Sequence, residues 1–404
     1  MKENLDKLFK NMPFSRRGFI KYSSAVAGLY LARQWLKSPS LAFANSNPRV
    51  VSVHDSDATN WDYATGYHWQ YIDQSVVNDM VKSGIMALTG ATNVLNAWKS
   101  LIPYQAGEAV VIKVNFNNIY DCNSGDDNDI DAYPETVNAV IDGLTSIGVP
   151  ANNIWITDPS RGIPNRFINK INNPNIVYYT TKHWYNRNSI TDYVPTNSSH
   201  ASPTTHPPGD LVRPAQIFVD AAHLINIPLL KGHGAGHMTL GMKNHYGSVT
   251  FSGSNQDSER NRMHKYLEPG MNPDPAKSIL ADICNNPHIR DKTRLIIGDG
   301  LYGHPITNWQ SVARWKIFDN DDPNILFFGI DPIAVDSVMC DFINEEQKML
   351  GYGPVIHSSL HHGAAIGLGV HDHWDSFENK QYSLIDYHRI DLDIDPPRNI
   401  RFLR

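Results

Sequence analysis

The stretch that decides the fold is Leu224–Val249, L-I-N-I-P-L-L-K-G-H-G-A-G-H-M-T-L-G-M-K-N-H-Y-G-S-V. Its first part, Leu224–Leu230, is an apolar run that predicts a buried strand, with Pro228 near its end. Polar and titratable side chains then follow among glycines, which let a backbone approach a ligand closely. They are Lys231, His233, His237, Lys243, Asn244 and His245. Such a loop suits an anion, a metal or a proton in transfer, whereas the alternative is a solvated loop without a role.

His233 and His237 are four residues apart. On a helix this spacing would place both imidazoles on one face, where they could bind one metal ion or act as an acid–base pair. Gly234 and Gly236 argue against a regular helix here, which weakens the metal hypothesis. Proton transfer is equally natural for histidine, because its pKa is close to neutrality.

Working outward, other polar residues follow apolar runs that predict strands. Lys113 and Asn115 come at the end of the predicted strand 109–114, and Asp158 follows 153–157. Asp299 comes after the apolar run 294–297. Because ligands of parallel sheets bind beyond the carboxyl ends of the strands, we expect one rim to carry Asn115, Asp158, Lys231 and Asp299. A lysine that reaches solvent and an Asp-Gly turn are the simpler alternatives for Lys113 and Asp299.

Strand patterns alternate with helix patterns along most of the chain. Helices are predicted over 72–88, 94–101, 134–147, 332–344 and 355–366, and further short apolar runs predict strands, including Ile217–Val219 and Ile325–Phe328. This order predicts an α/β fold with a mainly parallel sheet flanked by helices. The length allows one large domain over 45–404, or two lobes over 45–220 and 221–404.

The first 44 residues are typical of a twin-arginine signal peptide. Ser15–Lys21 reads S-R-R-G-F-I-K, an apolar stretch follows, and Ala42–Ala44 offers a small-residue cleavage site. The stretch is short and interrupted by Arg33, which argues against a retained membrane helix. We therefore expect the twin-arginine translocase as a partner and a periplasmic or extracellular protein. This route exports folded proteins, so a cofactor could be inserted beforehand.

Charge and cysteine content exclude two classes of function. The full chain carries a net charge of −6, and without residues 1–44, which hold eight basic and two acidic residues, the charge is about −12. A strongly acidic chain argues against a nucleic acid as partner. The three cysteines, Cys122, Cys284 and Cys340, form no C-x-x-C motif, which excludes an iron–sulfur cluster held by this chain alone. Cys340 lies in an apolar helix pattern and is expected to be buried.

Four segments carry a resemblance to the domain of unknown function 362 family. They are V-V-I-K-V-N at 110–115, the loop stretch with G-M-K-N-H-Y-G at 241–247, I-D-P-I-A-V-D at 330–336 and H-H-G-A-A-I-G-L-G at 361–369. This resemblance implies a fold and a site but no reaction. Within the third segment Asp331 is predicted to cap a helix, and Asp336 is a minor candidate for the cleft.

A second resemblance concerns the spacing of His233 and Lys243, with Gly241 between them, which is similar to a loop of the nickel-pincer lactate racemase family. It implies an acid–base histidine and a lysine that bears a covalent nickel–pyridinium nucleotide. The chain departs from that family at Thr239-Leu240-Gly241, where the family has Ser-Gly-Gly, and lacks its Asp-x-x-Arg-Pro signature. A metal and a prosthetic nucleotide therefore both stay open as cofactors.

Two further groups of residues contain side chains that can bind metal ions. The acidic loop 121–131 could bind calcium or be solvated. The histidines of the C-terminal region, His361, His362, His371 and His373, are interpreted as unconnected surface residues.

The leading hypothesis is an exported enzyme that acts on a small anionic substrate or a bound cofactor. Lys231, Lys243 and Asn244 would hold the anion with Lys113 and Asn115, and a histidine would move a proton in an isomerase, lyase or redox step. The alternatives are a non-catalytic periplasmic protein that binds an anion or a metal, and an accessory subunit of an exported complex.

Overall fold

The computed structural model describes most of the chain after residue 46. The described residues are 47–116, 127–159, 161–180, 190–192, 202–203, 211–233, 237–251, 278–306, 311–355 and 357–393. By its internal contacts the chain divides into two compact units, Met1–Asn47 and Pro48–Arg404. The predicted signal peptide lies outside the described residues.

One large sheet forms the centre of the second unit. Its strands are β1 (Arg49–His54), β2 (Val110–Lys113), β3 (Ile154–Thr157), β4 (Val177–Thr180), β5 (Ile190–Asp192), β8 (His223–Asn226), β9 (Leu229–His233), β10 (His237–Thr239), β12 (Thr293–His304), β13 (Ile325–Gly329) and β14 (Asp386–Asp391). Their order is β14-β1-β13-β12-β8-β2-β3-β4-β5, with β9 beside β12 and β10 beside β9. A smaller sheet, in the order β11-β7-β6, comprises β6 (Ser202–Pro203), β7 (Leu211–Pro214) and β11 (Val249–Phe251).

The large sheet is mainly parallel. The run from β12 through β8, β2, β3 and β4 to β5 is parallel throughout, and β1 is parallel to β14. β13 is antiparallel to both of its neighbours, and β10 is antiparallel to β9. The predicted α/β class with a mainly parallel sheet is confirmed.

Helices cover the sheet, and several begin at a residue whose side chain caps them. They are α1 (Gln74–Thr89), α2 (Val94–Leu101), α3 (Pro134–Ser146), α4 (Asn165–Ile168), α5 (Gln216–Asp220), α6 (Gly241–Asn244), α7 (Ile279–Cys284), α8 (Pro287–Arg290), α9 (Pro332–Met349) and α10 (Ser358–Ala365). The carboxylate of Asp73 accepts the first N–H groups of α1, and Asp331 does so for α9, whose first residue is Pro332. Among the described residues no helix is both long and apolar enough to cross a membrane.

The central strands of the large sheet are apolar on both faces, whereas the edge strand β14 is polar. Val51 and Phe328 pack in one core with α1, α2 and α3, whereas their chain neighbours Val50 and Phe327 pack in a second core with α7, α9 and α10. This alternation follows from the two-residue period of a strand, and both faces are buried because helices cover both. Cys340 lies fully buried in the second core, as expected.

Three predicted strands differ from the structure. Ile217–Val219 is part of helix α5, since a short apolar run is equally compatible with a buried helical turn. The run Leu224–Leu230 forms two strands, β8 and β9, that break at Ile227-Pro228, because Pro228 has no N–H for a ladder. Its carbonyl instead accepts the Asp299 N–H at 2.7 Å. The third strand, predicted to end before Asp299, continues to His304.

Candidate functional site

The carboxyl ends of β2 and β3 lie side by side and bring Lys113 to Asp158. The two strands are parallel, with Lys113 opposite Thr157. Lys113 Nζ lies 3.4 Å from Asp158 Oδ1, and the Phe116 N–H donates to Asp158 Oδ2 at 2.8 Å. Lys113 and Asp158 are 1% and 3% exposed, so this ion pair is removed from water. The expected meeting of polar groups at this edge of the sheet is present for these two strands.

Asn244, in helix α6, connects the loop to these strand ends. Its Oδ1 accepts from Lys113 Nζ at 3.0 Å and from Asn115 Nδ2 at 3.3 Å. Its Nδ2 donates to Asn226 Oδ1 at 2.7 Å. Because all four groups are buried, these hydrogen bonds fix the position of α6 against the sheet.

Lys231, in β9, is fully buried beside the same group. Its Nζ donates to Asn115 Oδ1 and to the Ile130 carbonyl, each at 3.2 Å. Burial lowers the pKa of Lys231 to about 8, and the Lys113 charge acts in the same direction. The carboxylates that oppose this shift belong to Asp131, Asp158 and Asp129.

Asp336, in helix α9, binds the backbone at the start of α6. Its carboxylate oxygens accept the Gly241 N–H at 2.7 Å and the Met242 N–H at 2.9 Å. A Cβ atom at Gly241 would lie 2.7 Å from Asp336 Oδ1, so the close approach requires glycine. Burial raises the pKa of Asp336 to about 7. Asp336 thus positions the loop that carries Lys243 and Asn244.

Lys243 occupies the third position of α6 and is only partly buried. Burial lowers its pKa well below the usual value of 10.5, and the charge of nearby Lys231 lowers it further. Among the residues that the structure describes, none accepts a hydrogen bond from the Lys243 amine. An amine in this setting is pushed towards its neutral, nucleophilic form.

His233 and His237 belong to a pair of antiparallel strands, β9 and β10, rather than to a helix. The register places His237 directly opposite His233. Residues 234–236 and the side chain of His237 lie outside the described part. The acid–base and metal-binding roles of these two histidines stay predictions. Further along, His245 is buried and its pKa is lowered to about 3 by burial, so it is neutral.

Asp299 occupies a position different from the one predicted. It lies within β12 and not at a strand end, and its side chain is fully buried. Thr136 Oγ1 donates to its Oδ2 at 2.6 Å and the Leu301 N–H donates to its Oδ1 at 3.1 Å. In the described part of the chain, these bonds connect Asp299 to α3 and to its own strand, and none reaches the lysines.

Sequence reasoning did not place two further residues at this site, Asn226 and Asp131. Asn226 ends β8 and bridges Asn244 and the Gly241 carbonyl. Asp131 forms a buried ion pair with Arg166 at 3.3 Å. A signal for Asn226 existed, since it is the one polar residue in an apolar run. Asp131 belongs to the acidic loop 121–131, whose residues 121–126 lie outside the described part of the chain. Calcium binding by this loop therefore stays a prediction.

A sequence profile of the domain of unknown function family DUF362 matches residues 110–341, more than half of the chain. The chain belongs to this family. The matched DUF362 region begins with β2, contains every predicted site residue from Lys113 to Asp299, and ends within α9. No curated protein matches the chain, and no solved structure matches it.

Proposed function

We propose that this DUF362 protein is an enzyme that binds a small anionic substrate or cofactor at its lysine-lined site and uses Lys243 as the reacting amine. The observation that carries the proposal is Lys243 itself, a partly buried lysine whose pKa is held well below its usual value by burial and by the Lys231 charge. A lysine with only a structural role at the surface does not need a lowered pKa, whereas a lysine that acts as a nucleophile or as a general base does.

The surroundings of Lys243 favour an anion as the ligand. Lys113 donates to a carbonyl and to Asn244, and lies beside Asp158, so its charge is already compensated. Lys231 and Lys243 instead repel each other. A carboxylate or phosphate beside these two amines would remove the repulsion and raise both pKa values. A histidine of the β9–β10 pair, His233, would then be the proton-transfer group.

Pyridoxal phosphate tests this proposal, because it combines an aldehyde that traps neutral amines with an anion. We expect the purified protein, treated at neutral pH and reduced with borohydride, to be labelled first at Lys243. Inorganic phosphate should protect Lys243, and pyridoxal without the phosphate should label it more slowly. Peptide mass spectrometry measures the label at each lysine.

Matched controls are available in the same chain. Lys82 and Lys99 are exposed and should be labelled only at higher concentration and without protection by phosphate. Lys243→Arg keeps the charge and removes the amine, so the early label should disappear. Labelling of Lys243 no faster than that of Lys82, or without phosphate protection, would contradict the proposal.

Lys243 is also the residue at which the resemblance to lactate racemases places a covalent nucleotide. A partly buried amine with a lowered pKa fits such an attachment. The group would supply an electron-accepting ring, while Lys231 would neutralise its phosphate. An attached group would block the pyridoxal label and appear as added mass on the Lys243 peptide of untreated protein.

We also propose that residues 1–44 direct export through the twin-arginine translocase. The support is the pair Arg16-Arg17 with its apolar and small-residue flanks. Replacement of both arginines by lysine should leave the full-length precursor in the cytoplasm, whereas the natural chain should yield a periplasmic form beginning at Asn45. Cell fractionation and N-terminal sequencing measure both. Unchanged export of the double variant would refute this route.

A further inference from the structure

Histidine side chains near the C-terminus gather into one cluster, contrary to the prediction of unconnected surface residues. The ring centres of His361 and His371 are 4.5 Å apart, and those of His357 and His361 are 5.0 Å apart. One ring nitrogen from each of these three residues lies within 4.8 Å of the others. His373 adjoins them, with its ring centre 4.7 Å from that of His371. The prediction was wrong because 357–361 and 371–373 meet only in the tertiary structure; His362, also predicted at the surface, is buried.

The hydrogen bonds of the outer ring nitrogens orient two of these rings. Ser337 Oγ donates to the Ile333 carbonyl, so it accepts from His371 Nδ1, 2.8 Å away. The Val355 carbonyl can only accept, so His357 Nδ1 donates to it at 3.0 Å. With the proton on Nδ1 in each case, Nε2 keeps its lone pair.

The carboxylate of Asp341 orients a third ring, that of His373. Asp341 Oδ1 lies 2.6 Å from His373 Nδ1 and accepts a hydrogen bond from it. The pattern of Nδ1–H groups bonded to a carboxylate, a carbonyl or a hydroxyl, with Nε2 free to bind, is the arrangement that supports metal-ligating histidines.

The inward nitrogens have a spacing that suits a metal ion. His373 Nε2 and His357 Nε2 are 3.4 Å apart. Tetrahedral zinc with nitrogens at about 2.0–2.1 Å places neighbouring ligand atoms about 3.3–3.4 Å apart. His371 Nε2 is buried and, within the described residues, has no hydrogen-bond partner. A buried lone pair without a donor is unfavourable unless a cation faces it.

We propose that His357, His361 and His371 bind one divalent transition-metal ion of the zinc type, with His373 at the fourth position. Imidazole ligands select zinc, nickel, copper or cobalt over magnesium and calcium, which prefer oxygen. His361 is exposed, so the ion can enter from solvent. The cluster lies beyond residue 341, where the family match ends, and it shares no residue with the site around Lys243.

Metal titration of protein first freed of metal with a chelator tests this site. We expect one Zn²⁺ per chain by calorimetry, no binding of Mg²⁺, and visible bands of tetrahedral Co²⁺ when cobalt replaces zinc. His371→Ala and His361→Ala should each weaken Zn²⁺ binding roughly 100-fold or more. Asp341→Asn replaces the carboxylate that accepts from His373 Nδ1 and from the Trp374 N–H with a neutral amide, and should weaken Zn²⁺ binding about 10–100-fold.

Two controls separate a loss of the metal site from a loss of the fold. His388→Ala removes a partly buried histidine of β14, outside the cluster, and should leave binding unchanged. His361 is exposed, so His361→Ala should keep the fold, which circular dichroism checks. Absence of Zn²⁺ binding in the natural chain, or equal binding by His361→Ala, would overturn the proposal. Loss of binding in His233→Ala alone would place the ion on the β9–β10 pair and overturn it too.

Discussion

Lys113→Met is expected to reduce the free energy of unfolding by about 3–5 kcal/mol. The substitution keeps the length of the side chain but removes the charge that faces Asp158 at 3.4 Å, and it removes the donor to Asn244. Asp158 is 3% exposed, so water cannot replace the lost ammonium without a change of structure. Urea denaturation measures the loss.

An exposed ion pair provides the control. Lys82 and Asp79 are 53% and 65% exposed in their side chains, and Lys82→Met should cost less than about 1 kcal/mol. The double variant Lys113→Met/Asp158→Asn should recover part of the loss, because it removes both charges of the pair. A loss below about 1 kcal/mol for Lys113→Met would show that the pair does not anchor the site.

Asp299→Asn is expected to change how stability depends on pH. Burial raises the pKa of Asp299 from 3.8 to about 7. The protonated form therefore stabilises the fold fully below pH 3.8, and this contribution is lost as the pH rises through about 7. Asparagine resembles the protonated acid at every pH. We expect the variant to equal the natural chain near pH 4 and to exceed it by about 3–4 kcal/mol at pH 8.

Denaturation midpoints measured from pH 4 to pH 8 give this difference directly. Asp79→Asn, at an exposed position, should show no comparable trend. A stability difference between Asp299→Asn and the natural chain that stays constant with pH would show that Asp299 ionises normally in the folded state.

The polar residues at the edge of the sheet were predictable because they directly follow local sequence patterns that form strands. Lys113 and Asp158 follow apolar runs that form parallel strands, and parallel strands end at one edge. Lys231 follows another apolar run, Leu224–Leu230, and donates to Asn115 at this edge, although Pro228 interrupts that run. The strand pattern and the order of elements were therefore sufficient to predict that Asn115, Asp158 and Lys231 lie at one edge, but not the contact of Asn226 with Asn244.

Asp299 shows why other parts were not predictable. The apolar run 294–297 and the Asp299-Gly300 pair suggested that the strand ends there, but in β12 Gly298 and Gly300 make room for neighbours. A Cβ atom at Gly298 would lie 2.4 Å from Met339 Sδ, and one at Gly300 would lie 2.9 Å from the Ile325 carbonyl. Close approach to α9 and β13 is a property of the packed structure, and the same holds for the gathering of His357, His361 and His371.

Helix α9 touches both candidate sites through adjacent residues. Asp336 accepts hydrogen bonds from the backbone of α6, and Ser337 accepts one from His371 Nδ1. Asp341 follows one turn later beside His373. Because these anchors all belong to one helix, we expect the loop that carries Lys243 and the histidine cluster to unfold locally as one unit. An ion held by the imidazoles would therefore also slow the opening of the loop that carries Lys243.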